Sequence, residues 1–200
     1  MINELNDRFD FVLGSKSPRR KELLEKLGLK FVLRESFFEE VVDPQMAVEN
    51  VPEFFAEQKA LSLEHTLQEK ELLITADTLV ILEGKILGKP KDELESFEMI
   101  KSLSGKWHDV TTGMCLFNKN IKKTFSETTH VHFKELSDEE INYYVEHYNT
   151  LDKAGAYGIQ EWIWLVAVNE IKGCFFNVIG LPVPRFYMEL MILYNYISGT

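Results

Sequence analysis

The chain has 200 residues, 45% hydrophobic and 27% charged, the balance of a soluble globular protein long enough to bury a sizeable core. Its 32 acidic and 22 basic side chains leave a net charge of −10, which argues against nucleic acid as a partner, since that binding needs a broad basic surface. The polar N-terminus MINELNDRFD is unlike a signal peptide, no apolar run approaches the ~18 residues of a membrane span, and Cys115 and Cys174 lack metal-type spacing and read as free thiols. A cytoplasmic protein is therefore expected.

In chain order, Phe11 to Leu13 reads as a short strand. Ser17 fits the N-cap of a following helix, with Pro18 at its first position and Gly28 as its stop. Phe31 to Leu33 is a second strand, followed by an acidic irregular loop, ESFFEEVVDPQ. Asn50 and Pro52 open a helix through PEFFAEQKALSLEHTL. Leu72 to Thr75 is a buried-type strand, and Thr78 to Leu87 a hairpin turning at Glu83-Gly84-Lys85. Asp92 caps a helix that ends at Gly105. Trp107 to Phe117 and Lys123 to Phe133 are long strands joined by Asn118-Lys119-Asn120, and Ser137 with Glu140 forms a capping box for the next helix. Residues 149–160 read as a loop of small residues, Trp162 to Val168 as a strand, and Pro184 onward as an apolar terminal helix that is buried or forms a subunit contact. Strands interspersed with helices predict an α/β fold around a mixed sheet with flanking helices.

One local feature runs against helix electrostatics. The first turn after Ser17 holds Arg19, Arg20 and Lys21, at the end of the dipole where positive charge is unfavourable by about 0.3–1 kcal/mol each. An anion seated among free backbone N–H groups and two arginines removes that penalty, and phosphate has the right chemistry. The alternative is a solvated basic turn. No glycine-rich stretch followed by Lys-Ser or Lys-Thr makes this a P-loop. Further on, Asp77 follows an apolar strand, where a carboxylate can ligate a divalent cation or orient a water. Lys89 stands in a Gly-Lys-Pro turn, and Gln160, which can donate and accept toward a base edge, ends a glycine-rich loop. His130 and His132 share one face of a strand; without a third ligand nearby they read as a polar sheet face rather than a metal site.

Taken together, S-K-S-P-R-R at 15–20, A-D-T at 76–78, G-K-P at 88–90, L-S-G at 103–105, H-D-V-T-T-G at 108–113, D-K-A-G-A-Y-G-I-Q at 152–160 and N-V-I-G-L-P at 177–182 resemble the Maf family of nucleoside triphosphate pyrophosphatases. The likeness runs from about Phe11 to about Leu190 with order and spacing kept; residues 1–9 are an N-terminal extension without a motif. It implies a single Maf-like domain over residues 1–200, a Maf/ITPase-like fold whose two lobes form a cleft, and hydrolysis of a nucleoside triphosphate to the monophosphate and pyrophosphate. Arg19 after Pro18, together with Gln160, resembles the group acting on dTTP and UTP rather than the group acting on methylated GTP. Glu161 departs from the glycine common after that glutamine.

The resemblance implies metal-assisted attack of water on the α-phosphorus. Asp77 would be the general base or the holder of the attacking water; Glu40, with Glu39 as an adjacent alternative, would complete a site for Mg²⁺ or Mn²⁺. Arg20, Lys89 and Lys59 would grip phosphate oxygens and offset the charge of departing pyrophosphate. Ser15 and Ser17 would donate to phosphate, and Arg19, Thr78 and Gln160 would select the base. The family's association with septum formation keeps a non-catalytic nucleotide-binding regulator in view, and 7-methyl-GTP hydrolysis is the second enzymatic alternative. The apolar terminal helix is the candidate surface for a homodimer.

Overall fold

The structure, a computed structural model, describes residues 1–198. Strand β1 (Asp10–Leu13) lies between two parallel neighbours, β2 (Phe31–Leu33) and β3 (Glu71–Leu82), with Phe11 opposite both Phe31 and Leu72. Parallel strands are covered on both faces, which is why β1 and the first half of β3 are apolar runs rather than alternating ones. The residues expected as two strands around Ala76 are one continuous strand, β3, whose far half pairs antiparallel with β4 (Lys85–Leu87). With β5 (Trp107–Asn118), β6 (Ile121–Phe133) and β7 (Val168–Lys172) the sheet has seven strands in the order β2-β1-β3-β5-β6-β7, with β4 on β3. The mixed α/β class is as expected.

The chain forms two compact units. Among the described residues, the first comprises 1–77, 112–127 and 180–198, and the second 78–111 and 128–179. In the first, the motif-free N-terminus is not idle: α1 (Ile2–Arg8) buries Leu5, and Asn6 accepts from the Lys30 amide at 2.9 Å and donates to the Gly28 carbonyl at 3.0 Å. Helix α2 (Pro18–Leu27) starts and stops as its sequence predicts, on a Ser17 side-chain cap and a left-handed Gly28. Helix α3 (Val51–Leu63) turns Ala56, Ala60 and Leu63 onto Val12, Leu73, Cys115 and Phe117. Its N-terminus abuts β5 at Gly113, where an added Cβ would lie 2.2 Å from the Pro52 carbonyl carbon and the Glu53 nitrogen. Only glycine tolerates that approach. Burial pushes the Cys115 thiol up to about 12, so it stays a protonated core side chain, and both cysteines are free.

The second unit packs α4 (Glu93–Leu103) and α5 (Asp138–His147) around Val110, Val131 and Phe133, and α5 carries the complete Ser137–Glu140 capping box. One expectation fails here. Residues 162–168 are not a strand: α6 (Trp162–Ala167) is helical, and β7 begins only at Val168. Ile163 and Ala167, four apart, are buried while Leu165 is 78% exposed, a helical pattern hidden inside a continuous apolar run. A short helix, α7 (Phe175–Ile179), closes this unit, and α8 (Val183–Ser198) ends the first, burying Phe186, Leu190 and Leu193. Among the described residues no helix is long and apolar enough to cross a membrane.

Candidate active site

The first unit gathers most of the residues singled out above. Ser17 Oγ accepts from the Arg20 amide at 3.4 Å, and Ser15 Oγ accepts from the Ser17 amide at 3.2 Å, so the two serines order the turn that starts α2. The half-buried Arg20 side chain folds back over that turn. Its Nη1 donates to Ser15 Oγ at 3.1 Å and its Nε to the Gly180 carbonyl at 2.8 Å. A planar guanidinium held through two of its edges is fixed in orientation as well as in place. Burial lowers the Arg20 pKa, Asp77 and Glu40 oppose that shift, and Arg19 adds to it. Arg19 is also half-buried in the same turn.

At the centre of the cluster, Lys59 Nζ, supplied by α3, bridges two carboxylates. It lies 2.5 Å from Asp77 Oδ1 and 2.6 Å from Glu40 Oε1. The side chain of Lys59 is 13% exposed and that of Asp77 9%, whereas Glu40 reaches in from the acidic loop with 43% exposed. It is Glu40, not its neighbour Glu39, whose carboxylate meets the lysine. Burial drives the Asp77 pKa above the ordinary carboxylate value; Lys59 and then Arg20 pull it back, and Glu40 adds to the rise. A carboxylate whose proton affinity is raised by its surroundings is a better base than a solvated one.

Asp77 Oδ2 has no hydrogen-bond partner although it is buried. Such a group costs free energy unless something outside the protein completes it. Among the described residues no three His, Cys, Asp or Glu side chains converge to make a protein-only metal cage. A hard divalent ion commonly takes one or two carboxylates and fills its remaining positions with phosphate oxygens and water. Asp77 with its orphaned oxygen, beside Glu40, fits that donor set.

The remaining expected residues belong to the second unit. Thr78 directly follows Asp77 along β3 and is half-buried, Lys89 is exposed in its turn before Pro90, and Gln160 is exposed at the end of the glycine-rich loop. On β6, His130 Nδ1 lies 2.5 Å from Asp109, and His132 contacts Asn169 and lies 5.0 Å, ring to ring, from Trp107. Sequence reasoning missed two contributions. The Gly180 carbonyl that orients Arg20 has no side-chain letter to announce it, although it lies in the N-V-I-G-L-P stretch. The group around Glu161, Lys153 and Tyr144 is set by folding rather than spacing.

The profile of the Maf-like protein family matches residues 10–193. Among curated proteins, the chain is 46% identical over 185 residues to a dTTP/UTP pyrophosphatase of Phocaeicola vulgatus and 47% identical over 185 residues to one of Bacteroides fragilis, each alignment covering 92% of this chain and 96% of the relative. It is 42% identical over 193 residues to a dTTP/UTP pyrophosphatase of Flavobacterium johnsoniae, covering 96% of this chain and all of the relative. A match that starts at β1 and ends inside α8, taking in every element between, shows that the chain belongs to the Maf family.

Proposed function

We propose that this protein is a nucleoside triphosphate pyrophosphatase that hydrolyses dTTP and UTP to the monophosphate and pyrophosphate, by attack of water on the α-phosphorus. One observation carries the chemistry: a buried carboxylate, Asp77, held by Lys59 on one oxygen and left without a protein partner on the other. That second oxygen is suited to take a proton from the attacking water or to bind the ion that accompanies the substrate. The relatives' shared activity supports the substrate class.

In this reading Arg20 and Lys89 bind phosphate oxygens and stabilise the charge that builds on departing pyrophosphate. Arg20 is suited to it because Ser15 and Gly180 fix its plane before substrate arrives. Lys59 keeps Asp77 oriented, and its ammonium adds to the positive potential at the phosphates. Ser15 and Ser17 order the anion-binding turn, and Arg19, Thr78 and Gln160 select the base. Asp77 and Glu40 would hold Mg²⁺ or Mn²⁺, which when bound supplies charge neutralisation at the phosphates and acidifies coordinated water.

The test is pyrophosphate release by the purified protein with Mg²⁺ or Mn²⁺ and a panel of dTTP, UTP, GTP, ATP and 7-methyl-GTP. Preferential turnover of dTTP and UTP is expected. Preference for 7-methyl-GTP, or nucleotide binding without pyrophosphate release, would overturn the reading. The cytoplasm, where nucleoside triphosphates and reduced thiols coexist, belongs to the same reading. So does a homodimer through α8, where Met188, Ile192 and Tyr196 are exposed at four-residue spacing; sedimentation tests it.

A further inference from the structure

Gln160 is exposed, yet the backbone that carries it is unusually restrained. The Glu161 amide donates to the Gly158 carbonyl at 3.0 Å, closing a four-residue turn in which Ile159 is buried and Gln160 points outward. Both ends of that turn converge on one atom. Tyr144 Oη accepts from the Gly158 amide at 3.0 Å and donates to Glu161 Oε2, using the hydroxyl as acceptor and donor at once.

The other carboxylate oxygen of Glu161 is equally committed. Oε1 lies 2.9 Å from Nζ of Lys153, a lysine only 6% exposed, which also binds Asp152 Oδ1 at 2.8 Å and the Asn149 carbonyl. Glu161 stands at the N-cap position of α6 but makes no side-chain capping bond there. Its carboxylate serves the turn behind it instead. The arrangement is tight: a Cβ on Gly158 would lie 2.9 Å from Glu161 Cδ and 2.9 Å from Lys153 Cε. The tyrosine is itself part of the buried core of this unit, so the clamp is anchored to that core.

We infer that Glu161, Lys153 and Tyr144 form a positioning unit that fixes the Gly158–Glu161 turn and thereby sets how Gln160 is presented to the base of the substrate. This rests on the reading of Gln160 as a base-selecting residue. A hydrogen-bonding side chain discriminates between bases only if its own backbone is held; a loose turn lets one glutamine adapt to several base edges. Glu161 and its partners are positioning residues, none of which needs to touch the nucleotide.

The experiment compares kcat and KM for dTTP and for GTP in the wild-type protein and in Gln160→Ala, Glu161→Ala, Glu161→Gln and Tyr144→Phe, with thermal unfolding of each. Gln160→Ala is expected to lower the preference for dTTP over GTP. Glu161→Ala and Tyr144→Phe should each lower that preference by about tenfold, the size of one lost charge-assisted hydrogen bond, chiefly through KM for dTTP. Glu161→Gln, whose amide oxygen still accepts from Tyr144 but whose amide nitrogen cannot pair with Lys153, should restore part of it. A wild-type preference in Glu161→Ala and Tyr144→Phe, with Gln160→Ala altered, overturns the positioning role and leaves the reading of Gln160 intact. Parallel loss of dTTP and GTP turnover at constant preference also overturns it, as a purely structural effect. An unchanged preference in Gln160→Ala overturns both. Should Glu161→Ala fail to fold, Tyr144→Phe, which removes a single oxygen atom, decides.

Discussion

Replacing Asp77 by asparagine separates catalysis from folding, because the two respond on different scales. Burial raises the Asp77 pKa, and the attraction of Lys59 and Arg20 does not bring it back to the ordinary value. A carboxyl group whose pKa is higher folded than unfolded costs stability above its unfolded pKa, so the near-isosteric neutral amide relieves a cost at neutral pH. The attraction of Lys59 is already included in that net rise, the asparagine oxygen still accepts from Lys59, and Lys59 keeps Glu40 at 2.6 Å. The expected change in stability is therefore small, at most about 2 kcal/mol, with a melting shift within about 8 °C. Activity is a different matter. Asparagine cannot accept the proton of the attacking water, and losing a general base costs about 100- to 10,000-fold, or about 2.7–5.5 kcal/mol in the barrier. Calorimetry and pyrophosphate release from dTTP, measured on one preparation, give both numbers. A folded Asp77→Asn protein within tenfold of wild-type activity would refute the assignment of the base.

Arg20→Ala should lower kcat/KM for dTTP at least tenfold, and Arg20→Lys should recover little, since an ammonium cannot reproduce the paired contacts to Ser15 Oγ and the Gly180 carbonyl; steady-state kinetics checks both. Lys89→Ala is expected to lose at least tenfold in the same assay without a change in melting temperature, because Lys89 is exposed. Arg34 grips both oxygens of Glu71, at 3.0 and 2.8 Å, and holds that carboxyl below its ordinary pKa. The pair's contribution is therefore present above the unfolded carboxyl pKa and lost as pH falls through the depressed one. The melting difference between wild type and Glu71→Gln should shrink as pH is taken from neutral to below about 4; a constant difference would refute the linkage. Gly113→Ala forces a Cβ against the backbone at Pro52 and Glu53 and should lower the melting temperature by about 4–10 °C.

What the sequence discloses and what it hides divide along physical lines. Helix ends were legible because their chemistry is local: the caps at Ser17, Asp92 and Ser137 and the stop at Gly28 lie within a few residues of the bonds they make. The helix at Trp162–Ala167 was not, because a short run of large apolar side chains satisfies strand and helix alike until burial separates Ile163 and Ala167 from Leu165. The cation-loaded turn at residues 19–21 raises the expectation of an anion site through an electrostatic conflict visible in one dimension. The bridge from Lys59 to Asp77 and Glu40 had no such signal. Its members are separated by 18 and 19 positions, and α3 supplies the lysine from a face that would otherwise read as solvated. Backbone partners such as the Gly180 carbonyl, and a clamp such as Tyr144–Glu161, follow from how loops close over the core.

Hydrolysis of dTTP in water labelled with heavy oxygen, with the products separated and weighed by mass spectrometry, tests the account at its centre. Attack at the α-phosphorus places the label in the thymidine monophosphate and leaves the pyrophosphate unlabelled. Label in the pyrophosphate, or thymidine diphosphate and orthophosphate as products, would contradict it.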